Sequence, residues 1–283
     1  MRPSERLTTS FLVGLSALAA LGTPREGRAL AVLVALAAAT VLLARVEAGP
    51  LRAMRDYFPV VVVLGTFLVL EPVIAGVNPR RWDPFFAAWD DRWAASLVAA
   101  WRGLARRTAP FVDAVYLAYV SYYVIPIAAA LAARRRGPDA FERAVFVVVA
   151  CFYASFAGYL LFPTSGPRLS AADEARLLGG GAVSGLVRAF LRTAEKTTLD
   201  AFPSGHTAVA LVAAALGARA APRATPAFGA WALAIVFSTV YIHVHYAVDV
   251  LAGVGLAAAV LAAAPALSRA LAPRGRPGPS LQP

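Results

Sequence analysis

The sequence predicts an all-α fold, a polytopic bundle of transmembrane helices. Three observations predict it. Hydrophobic residues make up 59% of the 283-residue chain and charged residues only 15%, against about 25% charged in a soluble domain. Apolar runs approaching the ~20 residues needed to cross a bilayer recur along the chain. Short arginine-rich gaps separate those runs, and the mean hydropathy is +0.65.

In chain order, the candidate spans are Thr8–Gly22, Ala29–Ala44, Phe58–Val77, Pro110–Ala133, Ala140–Phe162, Gly205–Ala218, Pro226–Ile242 and Ala247–Ala266. Many are rich in Ala and Gly, which lets helix backbones approach closely in lipid. The first is short, and the second follows it almost immediately. The pair reads as an N-terminal helical hairpin rather than a cleaved signal peptide, although Arg2 and Arg6 precede the first apolar stretch. The sixth span is also short. Residues 1–56 form the N-terminal membrane hairpin and a cytoplasmic loop, 57–268 the main membrane domain, and 269–283 a Pro/Gly-rich tail expected to be disordered.

Arginine placement sets the expected orientation. With the N-terminus inside, the gaps holding Arg45, Arg52 and Arg55, then Arg134, Arg135 and Arg136, then Arg219 and Arg223, fall in the cytoplasm with the tail. The longer segments Asn78–Ala109 and Pro163–Ser204, which mix signs, fall outside as loops. The net charge of +11 sits in these gaps. It forms no basic stripe interleaved with aromatics, which argues against a nucleic-acid partner. The single Cys151 lies in an apolar run, so neither an internal disulfide nor a thiolate metal cluster is expected.

The chemistry-bearing residues gather at span edges. The chain has three histidines, His206, His243 and His245, each at the edge of a span and all on the same expected side. Ionisable groups at such boundaries are functional candidates, with interfacial decoration as the plain alternative. In Phe202-Pro203-Ser204-Gly205-His206, Pro203 lies at a helix start, where its missing N–H costs nothing. A helix start attracts phosphate. Gly205 allows close backbone approach, Ser204 adds a hydroxyl, and His206 can donate a proton. In Ser238 to Asp249, His245 and Asp249 are four apart and share a face if the last helix begins there. Asp249 can then fix the imidazole tautomer and leave the other ring nitrogen of His245 as a nucleophile. The alternative for Asp249 is service to the helix dipole. In Phe162-Pro163-Thr164-Ser165-Gly166-Pro167-Arg168, Arg168 offers a planar fork suited to phosphate oxygens, or else a snorkelling interfacial cation.

Taken in this order, the three segments resemble the three signature motifs of the type 2 phosphatidic acid phosphatase superfamily. Pro203-Ser204-Gly205-His206 matches the second motif in full. Ser238 to Asp249 matches the third pattern, Ser-Arg-x5-His-x3-Asp, except at Thr239. The first motif carries its Arg at Arg168, while Leu161 stands where a Lys is usual. The resemblance covers about Phe58 to Ala266 and implies a six-span catalytic core preceded by the hairpin. It implies His245 as nucleophile, Asp249 as its partner, His206 as general acid, and Arg168, Ser204 and Gly205 as phosphate binders. It implies no metal and no cofactor. Candidate substitutes for the two missing cations are Arg188, Arg192, Lys196 and His243.

Gly166-Pro167-Arg168, the His245-Tyr246 pair and the segment Arg81 to Asp91 resemble the branch with inositol phosphorylceramide synthases and inositol phosphotransferases. Glu71 and Asp113 are candidates to hold a hydroxyl acceptor, each with a structural alternative. Trp82, Trp89, Trp93 and Trp101 read as an interfacial belt.

The expectation is a lipid-phosphate phosphatase or phosphotransferase of the plasma (inner) membrane, with a phosphohistidine intermediate. Its active site faces the non-cytoplasmic side. Its partners are the bilayer, a phosphorylated lipid and an inositol-like alcohol acceptor. The rival is a catalytically silent lipid-binding or transport protein of the same fold. Leu161 and Thr239 favour the rival; intact His206, His245 and Asp249 oppose it.

Overall fold

The computed structural model describes residues 1–22, 27–103, 108–194 and 197–272. The tail beyond residue 272 and Lys196 lie outside the described residues. What is described is helical apart from turns and one isolated bridge between Thr164 and Asp200. The helices are α1 (Pro3–Leu21), α2 (Gly27–Leu43), α3 (Leu51–Leu68), α4 (Leu70–Val77), α5 (Asp83–Trp93), α6 (Ala95–Gly103) and α7 (Ala109–Val120). There follow α8 (Ile125–Arg134), α9 (Pro138–Leu161), α10 (Ala171–Leu178), α11 (Ala182–Ala194), α12 (Gly205–Ala220), α13 (Thr225–Tyr241) and α14 (Ala247–Ala270).

Among the described residues, three helices are long and apolar enough to cross a membrane, or up to five if each bent pair is one span. This is fewer than the segments read from the sequence, for three physical reasons. Two segments are broken by proline. α3 and α4 meet at 49° and α7 and α8 at 50°. Pro72 cannot donate to the carbonyl of Leu68, where α3 ends, and Pro126 cannot donate to that of Tyr122, inside the 3-10 turn Ser121–Tyr123. Next, α2 and α12 are apolar but short. Finally, α1 carries Glu5 and Arg6 in its first turns. The segments Asn78–Ala109 and Pro163–Ser204, expected as loops, instead carry α5 and α6, and α10 and α11.

Helix α12 is the central helix, packed by α8, α9, α13 and α14. Its Ala208, Val209, Ala210, Val212 and Ala213 are fully buried, and such small side chains are what allow four neighbours around one helix. Helices α1 and α2 pack on each other, and α1 also packs on α9, where Phe11 stacks on Tyr153 at 4.3 Å between ring centroids.

One end of the bundle is tied by charge. Glu5 of α1 accepts from Arg55 of α3, Nε at 2.5 Å and Nη2 at 2.9 Å. Asp56 accepts from Arg2 at 2.7 Å and from Arg134, at the end of α8, at 2.8 Å. Glu142 of α9 accepts from the Ser4 amide at 3.0 Å. Arg6 donates to the carbonyl of Leu271, after α14, at 3.2 Å. The starts of α1, α3 and α9 and the ends of α8 and α14 therefore share one face. The start of α12 lies at the other.

The Glu5–Arg55 pair yields a stability prediction. Both side chains are only 10% exposed, so Glu5→Ala strands a buried guanidinium. The expected loss is roughly 3 kcal/mol, seen as a lower unfolding midpoint of the detergent-solubilised protein. Arg176→Ala, which breaks the exposed pair with Asp173, is expected to stay within about 0.5 kcal/mol of the parent. Equal midpoints for the two variants would refute the latch.

Candidate active site

The site forms where the starts of α12 and α14 meet. Ser204 caps α12, its Oγ accepting from the Thr207 amide at 3.2 Å. The Ser204 amide donates to the carbonyl of Asp249, in the first turn of α14, at 2.9 Å. This contact needs Gly253: a Cβ there would lie 2.6 Å from the Ser204 carbonyl oxygen. Gly205 is required on its protein side, since a Cβ would lie 2.2 Å from the Tyr159 hydroxyl. The glycine expected to admit an anion is thus needed first for helix packing against α9.

His245 lies in the turn between α13 and α14, not on the last helix. The turn is tight: the amides of Val244 and His245 both donate to the Thr239 carbonyl, at 3.0 and 3.3 Å. His243 adopts φ 62°, a left-handed conformation that is uncommon outside glycine and is often found at functional sites. Asp249 is the third residue of α14, and its Oδ2 accepts from the Tyr246 amide at 2.8 Å. The same oxygen is 3.4 Å from His245 Nδ1, within ion-pair range but longer than a well-formed hydrogen bond. The two residues therefore meet through a helix cap rather than by stacking along a helix face.

His245 Nε2 points at His206 Nδ1, 3.5 Å away. The His206 ring is held between Tyr119, with centroids 4.5 Å apart, and Tyr122, at 4.1 Å. His245 is 2% exposed, Asp249 0% and His206 9%. Among the described residues, His206 Nε2, His245 Nδ1, Thr207 Oγ1 and Asp249 Oδ1 are buried at this site without a hydrogen-bond partner, as are Thr66 Oγ1 and Trp101 Nε1 away from it.

Arg168 reaches this cluster from the segment after α9. Its Nε donates to the Ser165 carbonyl at 2.9 Å and its Nη2 to Asp200 Oδ1 at 2.8 Å. The segment is pinned from two sides. Asp83 Oδ1 accepts from the Ser165 and Gly166 amides at 2.9 and 3.0 Å, and the Ala201 amide donates to the Thr164 carbonyl at 2.9 Å. Asp90, on the same helix as Asp83, caps α14 by accepting from the Ala247 amide at 2.7 Å and the Val248 amide at 3.1 Å.

All six residues expected at the site, His245, His206, Asp249, Arg168, Ser204 and Gly205, are thus brought to one end of the bundle. Sequence reasoning misses Asp200, Tyr119 and Tyr122. For Asp200 the available signal is a carboxylate three residues before Pro203. For the tyrosines it is the run Tyr116 to Tyr123, four tyrosines in eight residues. Asp83 and Asp90 stand out in the sequence as markers of a family branch, whereas in the structure they act as caps. The hydroxyl-holding candidates are engaged elsewhere. Asp113 accepts from the Gly181 and Ser184 amides, each at 2.9 Å, and Glu71 accepts from the amide and hydroxyl of Thr198. Of the tryptophans, Trp101 stacks on Phe237 at 5.9 Å and Trp93 is 68% exposed.

Beside Arg168 opens a cavity of about 300 Å³. Its lining includes Arg168, Arg188, Arg192, Glu174, Tyr119 and His243. Burial pushes the His245 imidazole down to about 4; Asp200 opposes the shift and Arg168 adds to it. Burial likewise pushes His243 down to about 4, with Arg102 adding to the shift. Burial raises the Asp200 carboxyl, against the lowering effect of Arg168. A neutral imidazole with Nδ1 toward a carboxylate carries its lone pair on Nε2, which in His245 faces His206. Among the described residues, no group of three or more His, Cys, Asp or Glu side chains is arranged to hold a metal ion.

A family model described as the PAP2 superfamily matches residues 85–263, from α5 to α14. Comparison with curated proteins and with solved structures finds no match.

The cap on α14 yields a local prediction. Asp90 is 9% exposed, and Asp90→Ala strands two amides next to the His245 turn. The expected cost is about 1–2 kcal/mol, with faster hydrogen exchange at the Ala247 and Val248 amides. Asp91→Ala, at an exposed neighbour, should change neither. Unaltered exchange in the Asp90 variant would mean that α14 is capped in another way.

Proposed function

The chain belongs to the PAP2 superfamily, and on that premise we propose that it is a membrane lipid-phosphate phosphatase with His245 as nucleophile. The observation that carries this reading is the line Asp249–His245–His206, with Nδ1 toward the carboxylate and Nε2 toward the second histidine. His245 Nε2 attacks phosphorus in line with the leaving oxygen. A P–N bond forms as the P–O bond breaks, and His206 gives its proton to the departing alkoxide. Asp249, with Oδ2 3.4 Å from Nδ1, stabilises the positive charge that develops on His245. Arg168 and the Ser204–Gly205 turn balance charge on the equatorial oxygens. Water, deprotonated by His206, then attacks the phosphohistidine and releases phosphate.

A lipid substrate is supported by a second, larger cavity of about 860 Å³. It lies on the far side of α7 and α11 from the polar cavity and is lined by apolar side chains such as Leu64, Phe67, Leu117, Val148 and Phe190. An acyl chain fits that lining, which shares no residue with the polar cavity.

Transfer to an inositol-like alcohol is the second reading, favoured by Gly166-Pro167-Arg168 and His245-Tyr246. Hydrolysis stands first because Glu71, Asp83, Asp90 and Asp113 all accept from backbone amides, which leaves less acceptor capacity for a polyol. The arginine-rich gaps support a cytoplasmic N-terminus and a site on the other face of the membrane.

Two outcomes test the chemistry. His245→Ala is expected to abolish release of phosphate from a labelled lipid phosphate, and Asp249→Asn to leave a small residual rate. His206→Ala should harm poor leaving groups more than activated aryl phosphates, with wild-type activity surviving EDTA. Raising inositol should leave the yield of free phosphate unchanged; label moving into an alcohol phosphate would establish transfer instead.

The pH profile tests the buried nucleophile. Since burial lowers the His245 pKa to about 4, the attacking form persists as pH falls through the ordinary histidine range near 6.5. The acid limb of kcat/KM, which reports the free enzyme, should therefore lie well below 6.5. A limb at 6.5 would show that His245 is hydrated in the working enzyme.

A further inference from the structure

The polar cavity has cations that none of the three motifs contains. At the two positions where the superfamily pattern carries Lys and Arg, the chain has Leu161 and Thr239. Leu161 is 63% exposed at the end of α9. Thr239 is fully buried, with its hydroxyl donating to the Val236 carbonyl at 2.8 Å. Neither position offers a charge to a phosphate.

Helix α11 offers two. Arg188 and Arg192 are four residues apart and so emerge from one helix face. That face lines the polar cavity with Arg168, while Phe190 and Ala194, on another face of the same helix, line the apolar one. Arg188 is built into the wall. Its side chain is 13% exposed, its guanidinium lies over the Tyr116 ring at 4.6 Å, and its Nη2 donates to the Gly179 carbonyl at 2.6 Å. Its Nε is 3.3 Å from Glu174 Oε1. Arg192, 56% exposed at the rim, has Nη1 3.9 Å from Glu174 Oε2. Tyr116 also donates to Glu174. One carboxylate, itself anchored, thus aligns two guanidiniums toward a third.

The lining therefore holds three guanidiniums and one carboxylate, with a second carboxylate, Asp200, outside the lining and paired with Arg168. Its volume of about 300 Å³ is at the small end of the ~300–1,000 Å³ range of small-molecule sites, the scale of a phosphorylated head. Arginine forks match phosphate oxygens in pairs.

We propose that α11 supplies, through Arg188 and Arg192, the cations that hold the substrate's phosphoryl oxygens opposite Arg168. This rests on the reading of His245 as the phosphoryl acceptor. Arg188 is the principal contact, because its plane is fixed by Tyr116, Gly179 and Glu174, and Arg192 guides the anion at the rim.

The probe is inorganic phosphate, measured as a competitive inhibitor of lipid-phosphate turnover in detergent micelles. Arg188→Ala is expected to weaken inhibition about tenfold or more, as for loss of a charge-assisted hydrogen bond. Arg192→Ala should weaken it less, and the double variant most. Arg188→Lys should retain part of the affinity, and it carries the test with Arg192→Ala if Arg188→Ala does not fold. Arg176→Ala, on an exposed arginine of α10, should match the parent. Unchanged inhibition in the Arg188 and Arg192 variants overturns the inference, and so does an equal loss in the Arg176 variant, which would indicate general surface charge. A parent enzyme that neither turns over lipid phosphate nor labels His245 overturns the underlying function instead.

Discussion

The hydrogen bond from the Ser204 amide to the Asp249 carbonyl, 2.9 Å long, is the contact on which the site depends. It joins the first residues of two helices whose starts carry the histidines, or lie one turn from them. It forms because α14 has no side chain at Gly253 to keep the Ser204 carbonyl away. From that junction the rest follows. Asp249 backs the Nδ1 edge of His245, His206 meets its Nε2 edge, and the Ala201–Thr164 contact brings in the segment that holds Arg168.

Carboxylates outside the motifs hold this arrangement rigid, and nearly all act on backbone amides. Asp83 and Asp90, about two helical turns apart on α5, grip the Arg168 segment and the start of α14. Asp113 does the same for the start of α11. A carboxylate accepting amide bonds at a helix start matches the local dipole. It fixes the chain at that helix start through backbone amides alone. Asp200 and Glu174 are the exceptions, because Asp200 acts on Arg168 and Glu174 on Arg188 and Arg192.

These relations explain what can be read from the sequence. The His245–Asp249 spacing, the Pro203–His206 helix start and Arg168 are legible because each is a local pattern with a chemical reason. The route by which His245 meets Asp249 is not legible, since a four-residue spacing looks alike on a helix face and across a helix cap. The partners of Asp90 lie 157 and 158 positions away, a distance at which only tertiary structure assigns a cap. The apolar runs are legible as helices, but hydropathy alone passes over the bends at Pro72 and Pro126. Asn78–Ala109 and Pro163–Ser204 read as loops because their mixed charges hide short amphipathic helices.

The bend at Pro126 reaches further than the shape of α7 and α8. An α-helix advances about 100° per residue and a 3-10 helix about 120°. The turn over Ser121–Tyr123 therefore adds roughly 60° of rotation to everything after it. Upstream of the change, Tyr119 flanks His206, and within it so does Tyr122. Downstream, Ile125 and Ala129 are fully buried in the cluster around α12. That rotation sets Ile125 and Ala129 roughly 60° and 20° from the direction of Tyr119, where an uninterrupted α-helix would set them roughly 120° and 80° away. The angular setting of the His206 ring is thus coupled to a proline on another helix, well away from the histidine in the sequence.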